Sequence, residues 1–298
     1  MAHLPLLRLR SLPLLMAVLL LAACQKEVEI PAPDPEPTPT ADNARGDNMA
    51  LGNPSGAIAS VVAANNHLIV HPQFAVGYDN SRGQARWVSW HLSQAWKGPA
   101  ERCDCFEPDP LLPASFYAVT TFTYSGTGFD RGHLCPSDDR DASDADNAAT
   151  FLLTNIAPQA PDMNQDTWFQ LEAFARDLIA DGFEIYTIAG GYGNGGTNAQ
   201  GVFTTHLARG AIAVPARYWK VLVIIPDDSN DLERISTEGA RVIAVDMPNS
   251  ATATAQPWYA YRTSKAALEQ STGLDLLDAL VTAVQEALEE EEDAGVVW

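Results

Sequence analysis

Four consecutive residues, Asp130-Arg131-Gly132-His133, place an imidazole and a guanidinium two positions apart. Imidazole titrates near neutrality, so His133 can take a proton from water. In an extended segment Arg131 projects to the same side, and its planar fork suits anionic phosphate oxygens. Gly132 removes a side chain where another part of the chain approaches closely. Such a trio suits attack of water on a phosphodiester. Asp130 reads as a scaffold residue that orients the loop and its arginine.

A second group lies downstream. Asn164, Trp168, Glu172 and Arg176 recur every four residues, a slowly drifting stripe on one helix face. Asn164 falls near the helix start, where it serves either as an N-cap or as a neutral oxygen ligand for a hard cation such as Mg²⁺. Glu172 sits about 12 Å further along the axis. Helical side chains lean toward the N-terminus, so its carboxylate can hold a water of that cation. Arg176 is either an i,i+4 partner of Glu172 or a second phosphate contact.

The elements that must position these residues are mixed α and β. Apolar or β-branched runs predict strands over 87–92, 116–124, 151–154, 183–189, 218–225 and 241–245. Helices are predicted over 167–180, with Asp181-Gly182 as the stop, and over 264–269 and 275–288. The resulting class is α+β with a mixed, largely antiparallel sheet, in one domain over residues 53–285.

Composition bounds the function. The 298 residues are 46% hydrophobic and 19% charged, enough for a real core. Net charge is −20, and the core at 53–274 still carries 14 bases against 24 acids. Tight or sequence-specific nucleic-acid binding is therefore not expected. Turnover through a few local arginines and a cation remains compatible. The N-terminus reads as a signal peptide: Arg8 and Arg10, a short apolar stretch, then Leu21-Ala22-Ala23-Cys24. This ending resembles a lipoprotein lipobox, which implies cleavage after residue 23 and lipidation of Cys24. Gln25 after the cysteine favours outer-membrane placement. Residues 24–52, with alternating prolines and acids, read as an extended tether. Residues 286–298 read as an acidic tail. Cys103, Cys105 and Cys135 remain, an odd number whose pairing the sequence leaves open.

The segments DRGHLCPSDDR (130–140), FLLTNIAPQ (151–159), MNQDTWFQLEAFAR (163–176), IYTIAGGYG (185–193) and VPARYWKVLV (214–223) stand in order along the chain. With WVSWHLS (87–93), RCDCFEPDPLLP (102–113), VIAVDMPN (242–249) and TSKAALEQSTGLD (263–275), they make the chain resemble the DNA/RNA non-specific endonucleases, which belong to the His-Me finger (ββα-metal) nucleases. The resemblance implies hydrolysis of DNA and RNA. His133 would activate the attacking water and Asn164 would be the one direct protein ligand to Mg²⁺ or Mn²⁺. Glu172 would organise metal-bound water, Arg131 and Arg102 would contact the phosphate, and Asn155 would support the site near the histidine. Arg176 matches an auxiliary arginine. None of these groups reads a base edge, so indifference to sequence follows. No protein partner is implied. Cys103 and Cys105 depart from the pattern, and the acids at 138, 139, 141, 144 and 146 would weaken phosphate binding or hold a further cation.

Two other readings compete. Cys103-x-Cys105 with His133-x-Cys135 offers four ligands that a structural zinc would accept, though the first spacing is tight. A non-catalytic nucleic-acid-binding or adhesion module would keep the scaffold without turnover.

Overall fold

The computed structural model describes residues 45–237, 239–288, 293 and 295. In chain order come β1 (His67–Val70), β2 (Ala75–Asp79) and β3 (Gln84–Leu92), then β4 (Asp130–His133), α1 (Asp144–Ala149) and β5 (Ile156–Gln159). A π-helical segment, Met163–Trp168, runs into α2 (Phe169–Ala180), followed by β6 (Phe183–Tyr192). Two short ribbons follow, β7 (Gly196–Thr197) with β8 (Phe203–Thr204) and β9 (His206–Leu207) with β10 (Ile212–Ala213). The chain continues through β11 (Arg217–Pro226), α3 (Asp231–Thr237), β12 (Arg241–Pro248), β13 (Arg262–Thr263), α4 (Lys265–Thr272) and α5 (Thr282–Ala287).

Seven strands form one sheet in the order β1-β2-β3-β6-β11-β12-β13, with every neighbouring pair antiparallel. Its centre shows why near-continuous apolar runs are needed: the sheet is covered on both faces. Side chains alternate along β11 with period two. Tyr218, Leu222 and Ile224 join the core under α2, beside Leu171, Phe174 and Leu178. Trp219, Val221, Val223 and Ile225 join a second core with Ile235 of α3 and Leu268 of α4. The class is thus α+β on a largely antiparallel sheet, as expected.

Several boundaries differ from the sequence reading. The strand expected over 116–124 is instead irregular chain ending in a 3-10 turn, Thr121–Tyr124. There Thr120 and Thr123 form a capping box, so local side-chain bonds outcompete β propensity. The strand expected at 151–154 is a turn, and pairing begins at Ile156. Of the helix expected over 275–288, only Thr282–Ala287 forms, and Leu277 sits at φ 66°, which no α-helix tolerates.

The tether expected up to residue 52 enters the fold by residue 45. Leu51 is buried, the Asn48 side chain donates to Pro72 O and accepts from His91 N, and Arg45 pairs with Asp146. At the other end the expected tail is not simply solvated, since Asp293 is ion-paired with Arg241 and Arg262. The leader, Cys24 and the proline-rich stretch lie outside the described residues. Among the described residues no helix is long and apolar enough to cross a membrane.

Candidate active site

Asp130–His133 does form a strand. β4 pairs antiparallel with β5, His133 opposite Ile156 and Asp130 opposite Gln159. The chain then turns directly into the helix at residue 161, giving a β-β-α unit. Gly132 is needed here because a Cβ would come within 2.1 Å of Gln159 Oε1. The expected close approach is therefore to a side chain rather than to backbone.

A cavity of about 790 Å³ opens over this unit, lined by Arg102, Arg131, His133, Asn164 and Glu172. Asp130 and Asp138 also face it. Residues up to 70 positions apart in the chain thus converge as the sequence reading expected, with Arg176 and Asn155 standing behind the wall.

His133 is buried at 9% exposure, and its Nε2 has no hydrogen-bond partner. No carboxylate steers the ring through that nitrogen. Instead Phe151 packs edge-on at 4.7 Å between centroids and Phe106 lies at 5.6 Å. Burial, reinforced by Arg102 and Arg131, holds the imidazole down to about pKa 3. It is therefore neutral, the form a general base requires.

The two arginines are positioned differently. Arg102 donates through Nη1 to Ser137 Oγ at 2.8 Å and through Nε to Asp104 at 2.9 Å, and lies over the Phe151 ring. Arg131 lies 4.0 Å over the Phe106 ring. Stacking on rings leaves guanidinium N–H groups available to an anion.

On the helical wall, Asn164 Nδ2 donates to Asp130 Oδ2 at 2.9 Å, and Gln165 Nε2 donates to the same oxygen at 2.8 Å. Asp130 therefore orients the asparagine, not the arginine that the sequence reading assigned to it. Asn164 is not the N-cap, since the helix is already under way at Asp162 and Asn164 N donates to Ala160 O. Glu172 is paired with Lys220 of β11 at 3.1 Å, both nearly buried. Burial pushes its carboxyl above the usual range, and Lys220 opposes that shift.

Arg176, offered as Glu172's partner or a phosphate contact, does neither in this arrangement. It is ion-paired to Asp139 at 3.2 Å and to Asp138 at 3.8 Å. The acids at 138–146 are mostly structural rather than loose around the site. Asp139 also accepts from Trp90 Nε1, Asp141 pairs with Lys97, and Asp146 pairs with Arg45. Only Asp138 of this set faces the cavity.

Asn155 is fully buried and clamps the strand exit. Its Oδ1 accepts from Cys135 N, and its Nδ2 donates to Cys135 O and Thr150 O. Three further clamps escaped the sequence reading. Asn147 ties Cys103 N to Ser137 O. Asn249 accepts from Ala160 N and donates to Pro158 O, fixing the turn from β5 into the helix. Arg140, stacked over Trp96 and bonded to His91 O, pins the loop after the histidine to β3. Their signal in sequence is only residue type, because their partners are remote.

A family model described as DNA/RNA non-specific endonuclease matches residues 53–283. The chain belongs to that family. A nuclease of Nostoc sp. (strain PCC 7120 / SAG 25.82 / UTEX 2576) is 42% identical over 246 residues, 83% of this chain and 86% of the relative. The mitochondrial nuclease EXOG of Homo sapiens is 30% identical over 205 residues, covering 67% of this chain but 54% of that protein. The chain thus spans little more than half the length of that relative. In solved structures, a chain of the EndoG/EndoGI complex superposes with a TM-score of 0.65 at 23% identity, covering 82% of this chain and 94% of that one, a likeness of fold.

As a metal-dependent endonuclease of this family, the protein is an enzyme and not a binding module that kept the scaffold. Its cavity fits a hard divalent cation, because the donors present are the Asn164 amide oxygen and the carboxylates of Glu172 and Asp130. The zinc reading fails on the cysteines: Cys103 and Cys105 are disulfide-bonded to each other and Cys135 is buried elsewhere with its thiol pushed up to about pKa 12. Among the described residues, another set close enough to hold a metal is His91, Glu184 and Asp231. Arg234 already spans both carboxylates there, and none of the three lines the cavity.

Proposed function

We propose that this nuclease hydrolyses phosphodiester bonds of DNA and RNA alike, with His133 as general base, Arg102 and Arg131 as phosphate contacts and Asn164 as the direct ligand of Mg²⁺ or Mn²⁺. The observation that carries this reading is the convergence of a neutral imidazole, two arginines and an oxygen-donor wall on one cavity.

In that arrangement the two guanidiniums hold the non-bridging oxygens of the scissile phosphate. His133 takes a proton from water as the water oxygen bonds to phosphorus and the bond to the leaving oxygen breaks. The arginines then stabilise the charge gained in the pentacovalent transition state. Asp130 and Gln165 keep the Asn164 amide aimed at the cavity, and Glu172, held by Lys220, supplies a carboxylate for water around the ion. A bound cation supplies Lewis-acid stabilisation of phosphate and leaving-group charge. Arg102, Arg131 and His133 act on phosphate and water alone, so a 2′-hydroxyl is not required. Asn155 and Arg176 act as positioning residues, through the loop at 134–135 and through Asp138 and Asp139.

Incubating the chain with plasmid DNA and with RNA in Mg²⁺ or Mn²⁺, with and without EDTA, tests the reading. Cleavage of both, abolished by EDTA and by His133→Ala, is expected. Failure to cut either substrate in either metal would overturn it. We also propose, from the leader and Cys24, that the enzyme is exported and lipid-anchored on a membrane. Metabolic labelling with a radioactive fatty acid, lost in Cys24→Ala, checks this.

A further inference from the structure

Phe122 is 85% exposed, and it lines the same cavity as His133 and Arg131. A single exposed aromatic is ordinary on a protein surface. This one differs in where it stands and how it is held. It is carried by the short 3-10 turn Thr121–Tyr124, closed by the reciprocal Thr120 and Thr123 bonds. The next residue but one, Tyr124, is buried and its hydroxyl donates to Ile156 O at the start of β5. The turn is thus fixed to the catalytic hairpin. On the helical wall Phe169, 48% exposed, also lines the cavity, one turn from Asn164 and Glu172.

The electrostatics show what these rings are needed for. Nucleic-acid affinity normally comes from neutralising many phosphates. Here the cavity offers two arginines against Asp104, Asp130 and Asp138 on the same walls, within a chain of net charge −20. Backbone attraction is weak, and substrate must be held by something other than charge. Aromatic side chains supply such a hold by stacking on a base, whatever its identity. The cavity, at about 790 Å³, is far larger than one phosphate needs and lies within the range that encloses whole ligands. An intact duplex keeps its base faces stacked inside the helix and cannot present one to Phe122.

We infer that Phe122, with Phe169, forms a base-stacking subsite beside the scissile phosphate, so that the enzyme favours single-stranded or locally melted DNA and RNA over intact duplex. The inference rests on the nuclease reading and adds the substrate class to it. Indifference to sequence is preserved, since every base has a face to stack.

The test compares Phe122→Ala and Phe122→Trp with the wild type. In EDTA, fluorescence anisotropy measures binding of a fluorescein-labelled single-stranded octathymidylate and of the same oligomer with its central base replaced by an abasic tetrahydrofuran. Loss of one stack corresponds to roughly 5- to 150-fold in affinity. We expect about tenfold weaker binding of the intact oligomer by Phe122→Ala, near-wild-type binding by Phe122→Trp, and no difference among the three proteins on the abasic oligomer. In Mg²⁺, the ratio of kcat/KM on single strand to kcat/KM on a blunt hairpin duplex should fall by about the same factor in Phe122→Ala. Equal binding of the intact oligomer by wild type and Phe122→Ala, or an unchanged ratio, would overturn the subsite while leaving the nuclease reading standing. If the wild type cuts neither substrate, the nuclease reading fails first.

Discussion

The Lys220–Glu172 pair offers the sharpest test of how the site is held. Lys220 is 3% exposed at its side chain and Glu172 11%, with Nζ and Oε1 3.1 Å apart. The ammonium also lies 4.2 Å over the Trp168 ring. Replacing Lys220 by Met keeps the apolar stem and its contact with Trp168 but strands a buried carboxylate. Breaking a buried pair from one side costs about 3–5 kcal/mol, because the remaining charge has lost its compensation. For a domain of this size that is roughly 6–20 °C in Tm. Removing both charges, as in Lys220→Met with Glu172→Gln, recovers most of the loss, since a neutral pair needs no partner charge. Urea unfolding at pH 7 measures both variants. Lys220 also opposes the burial that raises the Glu172 pKa, so the single variant pushes that pKa further up and moves the acid limb of the pH–activity profile to higher pH. A single variant within about 1 kcal/mol of wild type, or a double variant no more stable than the single, would refute this reasoning.

Three further outcomes are expected. His133 holds its pKa at about 3 in the fold, below the 6.5 of an unfolded histidine, so the folded state binds fewer protons and stability falls as pH drops from 6.5 toward 3. His133→Gln should therefore remove up to about 2–3 kcal/mol of the stability difference between pH 6.5 and 4.5, read from urea midpoints; an unchanged difference rejects the depressed pKa. Asn164→Ala should lower activity by at least about 100-fold and abolish saturable Mg²⁺ binding in calorimetry; a wild-type titration rejects the ligand role. Cys103→Ser with Cys105→Ser releases the loop between Arg102 and Phe106, so KM should rise several-fold with little change in kcat; reductant on the wild type should do the same, and no effect from either would show that the bridge does not fix Arg102.

The central strands were legible in sequence because they are buried on both faces and so read as unbroken apolar runs. The catalytic strand at 130–133 was legible through its chemistry, and the 167–180 helix through its apolar spacing. Local bonding misled the reading elsewhere. The 116–124 stretch has the composition of a strand, but Thr120 and Thr123 close a turn instead. Leu277 interrupts an apolar run with a left-handed backbone that composition does not announce. Within the site, His133, Arg131, Arg102, Asn164 and Glu172 were found by type, spacing and resemblance. Lys220, Asn147 and Asn249 were not, since each acts on a partner at least 44 residues away. Arg176 was placed by the i,i+4 rule beside Glu172, whereas Asp139 outcompeted that neighbour from a different loop.

The wide turn at Met163–Trp168 has a consequence for how this fold can vary. A π turn closes over one residue more than the α ladder that follows it. Deleting any single residue within it would let the ladder close as ordinary α-helix. Everything before the deletion would then rotate by about 100° relative to α2. Leu171, Phe174 and Leu178 would stay seated in the core, while Asn164 would swing away from Asp130. The phase of the ligand amide is therefore written in the number of residues, not in their kind. Substitutions along 165–167 can be many and mild, but the length of this segment cannot change by one without uncoupling the metal-facing wall from the hairpin that carries the base.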